Sequence, residues 1–147
     1  EETEIVEGYP DGTFKPDYEI NRAEFTKILI NAYGLHDNVN WSYCFDDINS
    51  EWFAPFICRA KTLQVIDGYP DNTFHPDQAI NTVEAIKIIL NTGGVELSAS
   101  PGESWFSPYI AYALNTGLDF ILYENELEEN ITRGEMAQMI YKTLGAY

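Results

Sequence analysis

Positive charge is scarce in this sequence of 147 residues, which has eight Lys and Arg residues against 24 Asp and Glu residues. The resulting net charge is −16, and the few cationic residues do not cluster. Nucleic acid and anionic membranes bind through basic patches, so the composition disfavours both as partners. An acidic surface instead favours solubility and the binding of divalent cations.

Long apolar runs are also missing. No stretch approaches eighteen consecutive apolar residues, so we expect no membrane-spanning helix. The first residues, Glu1-Glu2-Thr3-Glu4, lack the pattern of a signal peptide, and we expect the leader of an exported precursor to have been removed. With 45% apolar and 14% aromatic residues, the chain has enough apolar side chains for a buried core.

Cysteine is limited to Cys44 and Cys58, which flank the turn at Phe45 to Ile48 and the start of the Trp52 segment. Two cysteines without a His pair or a CxxC spacing disfavour zinc. Their placement predicts a local disulfide worth about 3 kcal/mol in the chain-entropy model. The alternative is a pair of buried, reduced thiols. A disulfide would place the protein outside the cytoplasm.

No catalytic constellation is present. His36 and His75 lie in unrelated loops without a nucleophile motif, and a carboxylate pair that cleaves carbohydrate is the only candidate chemistry. We therefore expect neither an enzyme nor a cofactor. The run from Glu124 to Glu129 places four carboxylates within six residues, which could gather calcium, although no EF-hand pattern is present. The alternative is a solvated loop.

The most informative feature is an internal repeat. Residues 8–17 (GYPDGTFKPD) return as residues 68–77 (GYPDNTFHPD), residues 20–24 (INRAE) return as 80–84 (INTVE) and more loosely as 131–135 (ITRGE), and residues 52–57 (WFAPFI) return as 105–110 (WFSPYI). Repeats of this length are supersecondary units that bury their apolar faces against one another. They favour a structural or binding role over catalysis.

Each repeat predicts two kinds of helix. Asn21, Asn81 and Thr132 are each followed three residues later by Glu, which is the capping-box signature of a helix start. The second kind follows Trp52 and Trp105 and has a proline in its first turn. The Gly-Tyr-Pro-Asp loop predicts a tight turn with positive φ at Gly12 or Asn72. The apolar faces expected in the core are Phe25, Ile28, Leu29, Ala32 and Tyr33; Ala85, Ile88 and Ile89; Met136, Met139, Ile140 and Leu144; Phe53, Phe56, Ile57, Ala60 and Leu63; and Phe106, Tyr109, Ile110, Ala113 and Leu114.

These motifs together resemble the S-layer homology domain, whose repeats carry a Trp helix, a Gly-Tyr-Pro-Asp-Gly-Thr-Phe loop and an Ile-Thr-Arg-Ala-Glu helix start. The resemblance implies a bacterial, extracellular protein of mostly α fold, with three repeats packed as a pseudo-threefold bundle. We place a partial first repeat at residues 1–35, a second at 41–94 and a third, with a degenerate loop, at 103–147.

The resemblance also implies a ligand. Grooves of this family bind pyruvylated secondary cell-wall polysaccharide, and the groove arginine maps to Arg22 and Arg133. A planar guanidinium suits the carboxylate of a pyruvate ketal. The expected neighbours in the grooves are Asn21, Thr132, Gly8, Tyr9, Gly68 and Tyr69. The second repeat has Thr82 in place of arginine, so at most two grooves keep their cation. The alternative is that both arginines are surface residues paired with Glu.

The first repeat has no Trp helix, because only seven residues precede Gly8. We therefore expect the apolar stripe of Phe25, Ile28 and Leu29 to lack a partner. Either the missing helix lies upstream in a longer precursor, or a neighbouring subunit covers the stripe. The second case predicts a homo-oligomer or polymer, and with it an alternative function as a subunit of an extracellular filament or surface layer.

Overall fold

Helices dominate the part of the chain that the computed structural model describes, residues 15–37 and 39–145. They are α1 (Arg22–Ala32), α2 (Ala54–Thr62), α3 (Thr82–Thr92), α4 (Ser107–Leu114), α5 (Asp119–Glu124) and α6 (Arg133–Gly145). Those residues form isolated β-bridges but no extended strand, which confirms the mostly α fold. None of the helices there combines the length and the apolar character needed to cross a bilayer.

The predicted helix starts are confirmed. The side-chain oxygens of Asn21 and Asn81 accept the amides of Glu24 and Glu84, and each Glu side chain accepts the amide of its cap in return. Thr132 and Glu135 make the same reciprocal pair at the start of α6. Helices α2 and α4 begin just after Trp52 and Trp105 and hold Pro55 and Pro108 in their first turns. Each of these two helices packs against the capped helix of the preceding repeat, α2 on α1 and α4 on α3.

The segments just before α1, α3 and α6 meet at the centre of the molecule. Antiparallel bridges join Asn21 to Ala79, Asn81 to Asn130 and Glu19 to Thr132, so each segment contacts the other two. Three equivalent isoleucines, Ile20, Ile80 and Ile131, are buried there within the larger apolar cluster. This arrangement gives the described residues their pseudo-threefold character.

Loop carbonyls extend the same symmetry to the helix ends. The first two amides of each capped helix have no partner within the helix and need acceptors elsewhere. They donate to carbonyls of the loop in the next repeat: Arg22 to Gln78 and Ala23 to Pro76, Thr82 to Glu129 and Val83 to Leu127, and Arg133 to Tyr18 and Gly134 to Pro16, over 2.8 to 3.1 Å. The last pair returns to the first repeat, so the hydrogen bonds form a closed ring.

A second apolar cluster lies between α1 and α2 and contains the predicted disulfide. Cys44 and Cys58 are bonded, which excludes the reduced pair that the sequence left open. Cys58 is buried on α2 beside Phe45, Ile48 and Phe74. The disulfide therefore holds the Phe45 to Ile48 turn against both α2 and the Gly-Tyr-Pro-Asp loop of the second repeat.

The expected packing of α1 is wrong in two respects: its apolar stripe has partners, and α1 is not the capped helix without a Trp-type helix. Phe25, Ile28 and Leu29 do not lack a partner, because they are buried in the larger cluster with α3 and α6. It is a different face of α1, carrying Ala23 and Ile30, that packs toward α2. Within residues 15–37 and 39–145 each Trp-type helix packs on the preceding repeat, so α6 rather than α1 is the capped helix without a Trp-type helix there. Its Tyr141 is 69% exposed, whereas the corresponding Ile30 is fully buried and Leu90 is 5% exposed.

The third repeat also differs from expectation in its loop. Residues 119–124, at the start of the degenerate loop of the third repeat, form helix α5 rather than a loop. Ile121 is buried in the core and anchors this helix, which is mostly apolar and precedes all but the first residue of the acidic run. Leu114, expected in the core, is 46% exposed at the end of α4.

Replacing both cysteines, Cys44→Ser with Cys58→Ser, should lower the free energy of unfolding by about 3 kcal/mol, because the cross-link removes unfolded-chain entropy from a loop with a sequence separation of 14. Urea denaturation followed by circular dichroism measures the change. In a reducing buffer the parent should match the variant, and equal stability in oxidising buffer would contradict a stabilising disulfide.

Candidate ligand-binding groove

Arg22 is the cation of an open groove of 160 Å³ beside the loop of the second repeat. Its side chain is largely buried, and its Nε donates to the carbonyl of Phe74 over 2.9 Å. The guanidinium carbon lies 4.7 Å from the ring centre of Phe74 and 5.3 Å from that of Tyr69. A cation on aromatic faces with one nitrogen fixed has a defined orientation.

The Gly-Tyr-Pro-Asp loop has the geometry that this contact needs. Gly68 has a φ of +76°, and a Cβ there would lie 2.4 Å from Cε1 of the buried Phe45 ring. Asn72 has a φ of +67°, as the turn pattern predicts. Asp71 accepts both the amide and the hydroxyl of Thr73, and the hydroxyl bond lowers the pKa of Asp71 below its usual value. The loop is therefore held from within by an ionised carboxylate at neutral pH.

The opposite wall of the groove comes from the second and third repeats. Glu84, Lys87 and Trp105 line it, and Nζ of Lys87 lies 5.2 Å from the Trp105 ring centre. Lys87 also lies 3.9 Å from Asp67 across the groove. We call Arg22, Gly68, Tyr69, Lys87 and Trp105 the Arg22 site. The groove thus holds two cations, together with the carboxylates of Asp67 and Glu84 and exposed aromatic surface, and these groups can contact a charged sugar.

Arg133 occupies the equivalent position at the start of α6. Its side chain is buried, and Nη1 lies 3.7 Å from Oε2 of Glu24. Lys27 lies 5.2 Å from the ring of Trp52, which repeats the pairing of Lys87 with Trp105. We call Arg133, Glu24, Lys27 and Trp52 the Arg133 site. Its arginine has the carboxylate contact that the surface-residue alternative predicted, although the side chain is buried rather than exposed.

The third position has no arginine, and side chains from the third repeat fill it. Thr82 is fully buried, and its hydroxyl donates to the carbonyl of Glu129. The buried Asn125 donates from Nδ2 both to the Thr82 hydroxyl, over 3.2 Å, and to Oε1 of Glu135, over 3.1 Å. Thr82 and Asn125 are thus hydrogen-bonded to each other at the position where the other two repeats have an arginine side chain. Gln138 stands where Lys27 and Lys87 lie in the other repeats.

The remaining predicted site residues either cap helices or lie outside the described residues. Asn21 and Thr132 use their side-chain oxygens to cap α1 and α6. Gly8 and Tyr9 lie outside the described residues, as does Gly12. The acidic run at Glu124 to Glu129 does not bring together three potential metal ligands, and no such group occurs elsewhere in residues 15–37 and 39–145.

Sequence reasoning missed the groove lysines. Lys27 and Lys87 both follow the capping Glu by three residues, so their recurrence was visible in the repeat. Residues at that spacing share a helix face. A cation beside the arginine could therefore have been predicted from the repeat, whereas its position over a Trp of the next repeat depends on how the repeats pack.

Comparison with known proteins identifies the same repeat. A family model described as the S-layer homology domain matches residues 1–26 and 45–81. A surface layer protein of Brevibacillus choshinensis is 33% identical over 98 residues, which cover 64% of this chain and 9% of that protein. A cellulosome-anchoring protein of Acetivibrio thermocellus is 30% identical over 141 residues, which cover 88% of this chain and 30% of that protein.

Enzymes also carry similar sequence. An amylopullulanase of Thermoanaerobacterium thermosulfurigenes is 28% identical over 156 residues, which cover 95% of this chain and 8% of that protein. The chain spans at most 30% of the length of these three relatives. The shared sequence points to an extracellular location at the bacterial cell surface and to a structural or wall-binding role there.

Gly68→Ala should lower the free energy of unfolding by about 2 to 4 kcal/mol, because the new Cβ both requires an unfavourable φ and meets the Phe45 ring. Gly34→Ala is the matched control: Gly34 has a φ of +67° with open space around it, so only the backbone term of about 1 kcal/mol applies. Chemical denaturation of both variants measures the difference. Equal losses would show that contact with Phe45 does not restrict residue 68.

Proposed function

Because this chain belongs to the S-layer homology family, we propose that it is a non-enzymatic domain that binds an anionic secondary cell-wall polysaccharide through Arg22 and Arg133. The observation that carries the proposal is the fixed guanidinium of Arg22, held by the Phe74 carbonyl and by two aromatic rings at the edge of an open groove. A guanidinium in a defined orientation can make two parallel hydrogen bonds to a carboxylate.

The chemistry of the groove favours a sugar acid over a free anion. The net charge of −16 repels anions at long range, so binding needs close local contacts. Lys87 supplies a second cation, and Trp105, which is 47% exposed, offers an apolar face to a sugar ring. A carboxylate attached to a polysaccharide, as in a pyruvate ketal, uses both kinds of contact at once.

Two binding sites per chain follow from the repeat. We propose the repeat boundaries 1–35, 41–94 and 103–147, with the Arg22 site formed mainly by the first and second repeats and the Arg133 site by the third and first. Thr82 and Asn125 close the remaining position by bonding to each other. Two weak sites on one polymer strengthen attachment through effective concentration.

Self-assembly is a second proposed function, favoured by one observation. Tyr141 on α6 is 69% exposed at a position where α1 and α3 bury an aliphatic residue under α2 and α4. Exposed apolar area at a position that its equivalents bury marks a contact surface. We propose that a second copy of the chain packs its aromatic surface against this face of α6 in an extracellular filament or surface layer.

Replacing both arginines, Arg22→Ala with Arg133→Ala, should abolish sedimentation with purified pyruvylated cell-wall polysaccharide, because each lost charged contact weakens a site by about tenfold to a hundredfold. Each single variant should halve the number of polymer repeat units bound, as measured by isothermal titration calorimetry. Polymer whose ketals have been removed by mild acid should not bind the parent protein.

The control for charge is Lys142→Ala, because Lys142 lies over the Phe120 ring, outside both arginine sites. It removes one positive charge and should leave sedimentation unchanged. Undiminished sedimentation of the double arginine variant would refute the role of the arginines, and a loss with Lys142→Ala would indicate that net charge alone governs binding.

Sedimentation velocity tests the assembly proposal. The parent should form larger species as its concentration rises, and Tyr141→Glu should shift them to monomer, because burial of a charge without a partner is costly. Tyr123→Glu is the matched control, since Tyr123 is 77% exposed on α5. A parent that stays monomeric at high concentration, with calcium present, would contradict self-assembly.

A further inference from the structure

We propose that Asp47 is the positioning residue of the Arg22 site and acts through the peptide group between Phe74 and His75. Asp47 lies in the turn that follows Cys44, 27 residues before Phe74. The proposal deepens the proposed function, since it names what holds the Arg22 guanidinium ready for its ligand.

Both carboxylate oxygens of Asp47 bind the loop. Oδ1 accepts the amide of Phe74 and Oδ2 accepts the amide of His75, each over 2.8 Å. His75 has a φ of +63°, a left-handed conformation that costs energy for a residue other than glycine. Two hydrogen bonds to the same carboxylate stabilise this conformation. Asp47 therefore holds the chain in a conformation that it would otherwise avoid.

The same peptide group carries the contact to Arg22. The amide of His75 and the carbonyl of Phe74 belong to one planar unit, so fixing the N–H fixes the direction of the C=O. That carbonyl accepts Nε of Arg22 over 2.9 Å. A hydrogen bond at the N–H also polarises the peptide and strengthens the carbonyl as an acceptor. The path from Asp47 to the guanidinium thus consists of two hydrogen bonds through one rigid group.

The turn that carries Asp47 is itself braced. The Cys44–Cys58 disulfide ties it to α2, and Nζ of Lys61 donates to the Cys44 carbonyl. The neighbouring Asp46 donates its amide to the Asn72 carbonyl over 2.9 Å, which attaches the turn to the loop at a second point. The Phe45 ring stacks on Phe74 with 5.6 Å between ring centres. The carboxylate therefore acts from a rigid support.

This indirect arrangement leaves the guanidinium charge for the ligand. None of the ion pairs among the described residues joins Asp47 to Arg22. Arg133, by contrast, lies 3.7 Å from the carboxylate of Glu24. A direct acidic partner competes with an anionic ligand, whereas a carboxylate that acts through a peptide orients the cation without occupying it.

The test uses Arg133→Ala as the parent, so that only the Arg22 site binds. Asp47→Asn keeps the shape of the side chain but turns one acceptor into a donor facing an amide. Asp77→Asn is the matched control, since it makes the same change at an exposed carboxylate of the same loop. Calorimetry with pyruvylated cell-wall polysaccharide measures affinity, and NMR measures hydrogen exchange of the Arg22 Nε–H without ligand. We expect Asp47→Asn to weaken binding about tenfold and to speed this exchange about tenfold, with Asp77→Asn within about twofold of the parent.

Unchanged exchange and affinity in a folded Asp47→Asn variant would overturn the proposal. If Arg22→Ala in the same parent binds as well as the parent does, the proposed glycan site is wrong, while the exchange measurement still decides the role of Asp47. If Asp47→Asn does not fold, scalar couplings measured across hydrogen bonds in the parent protein test the role of Asp47 instead. Couplings from the His75 amide to the Asp47 carboxylate and from Arg22 Nε to the Phe74 carbonyl support the path, and their absence overturns it.

Discussion

A ring of backbone hydrogen bonds at the helix starts organises this molecule. The first amides of each capped helix donate to loop carbonyls of the next repeat, and the loop of the first repeat serves the last helix. Each loop is therefore fixed against a helix of another repeat rather than of its own. Because the Arg22 guanidinium and the Phe74 carbonyl lie on the two partners of one such contact, the groove exists only where two repeats meet.

The same ring explains how one repeat could lose its groove without loss of fold. Replacement of arginine by Thr82 leaves the backbone bond to Glu129 intact, and the threonine hydroxyl adds a second bond to the same carbonyl. Asn125 fills the remaining space and bonds to Glu135, so no buried polar group there lacks a partner. In this fold the backbone hydrogen bonds hold the helix starts, so the side chains that line a groove can differ between repeats without breaking those bonds.

Local signals predicted the local structure well. The capping boxes at Asn21, Asn81 and Thr132, the prolines at the starts of α2 and α4, and the positive φ of Asn72 depend on neighbouring residues, and all were predictable. The disulfide was also predicted from its placement. Contacts between repeats were not, because α1 carries apolar residues on two faces and the sequence does not say which one packs against α2. The capped helix that lacks a Trp-type helix within the described residues was therefore assigned to the first repeat instead of the third. The contact of Asp47 with the Phe74 amide, 27 residues away, was not visible either.

Closure of the ring also sets an order of events in time. The carbonyls of Pro16 and Tyr18 accept the first amides of α6. The ring of hydrogen bonds therefore cannot close until Arg133 and Gly134 have been synthesised and are free to fold. Helices of 6 to 13 residues are marginal by themselves. The ring therefore stays open until α6 is present, so the bundle completes itself late. The disulfide between Cys44 and Cys58 closes a much shorter loop, and it can form in an oxidising environment before the ring is complete.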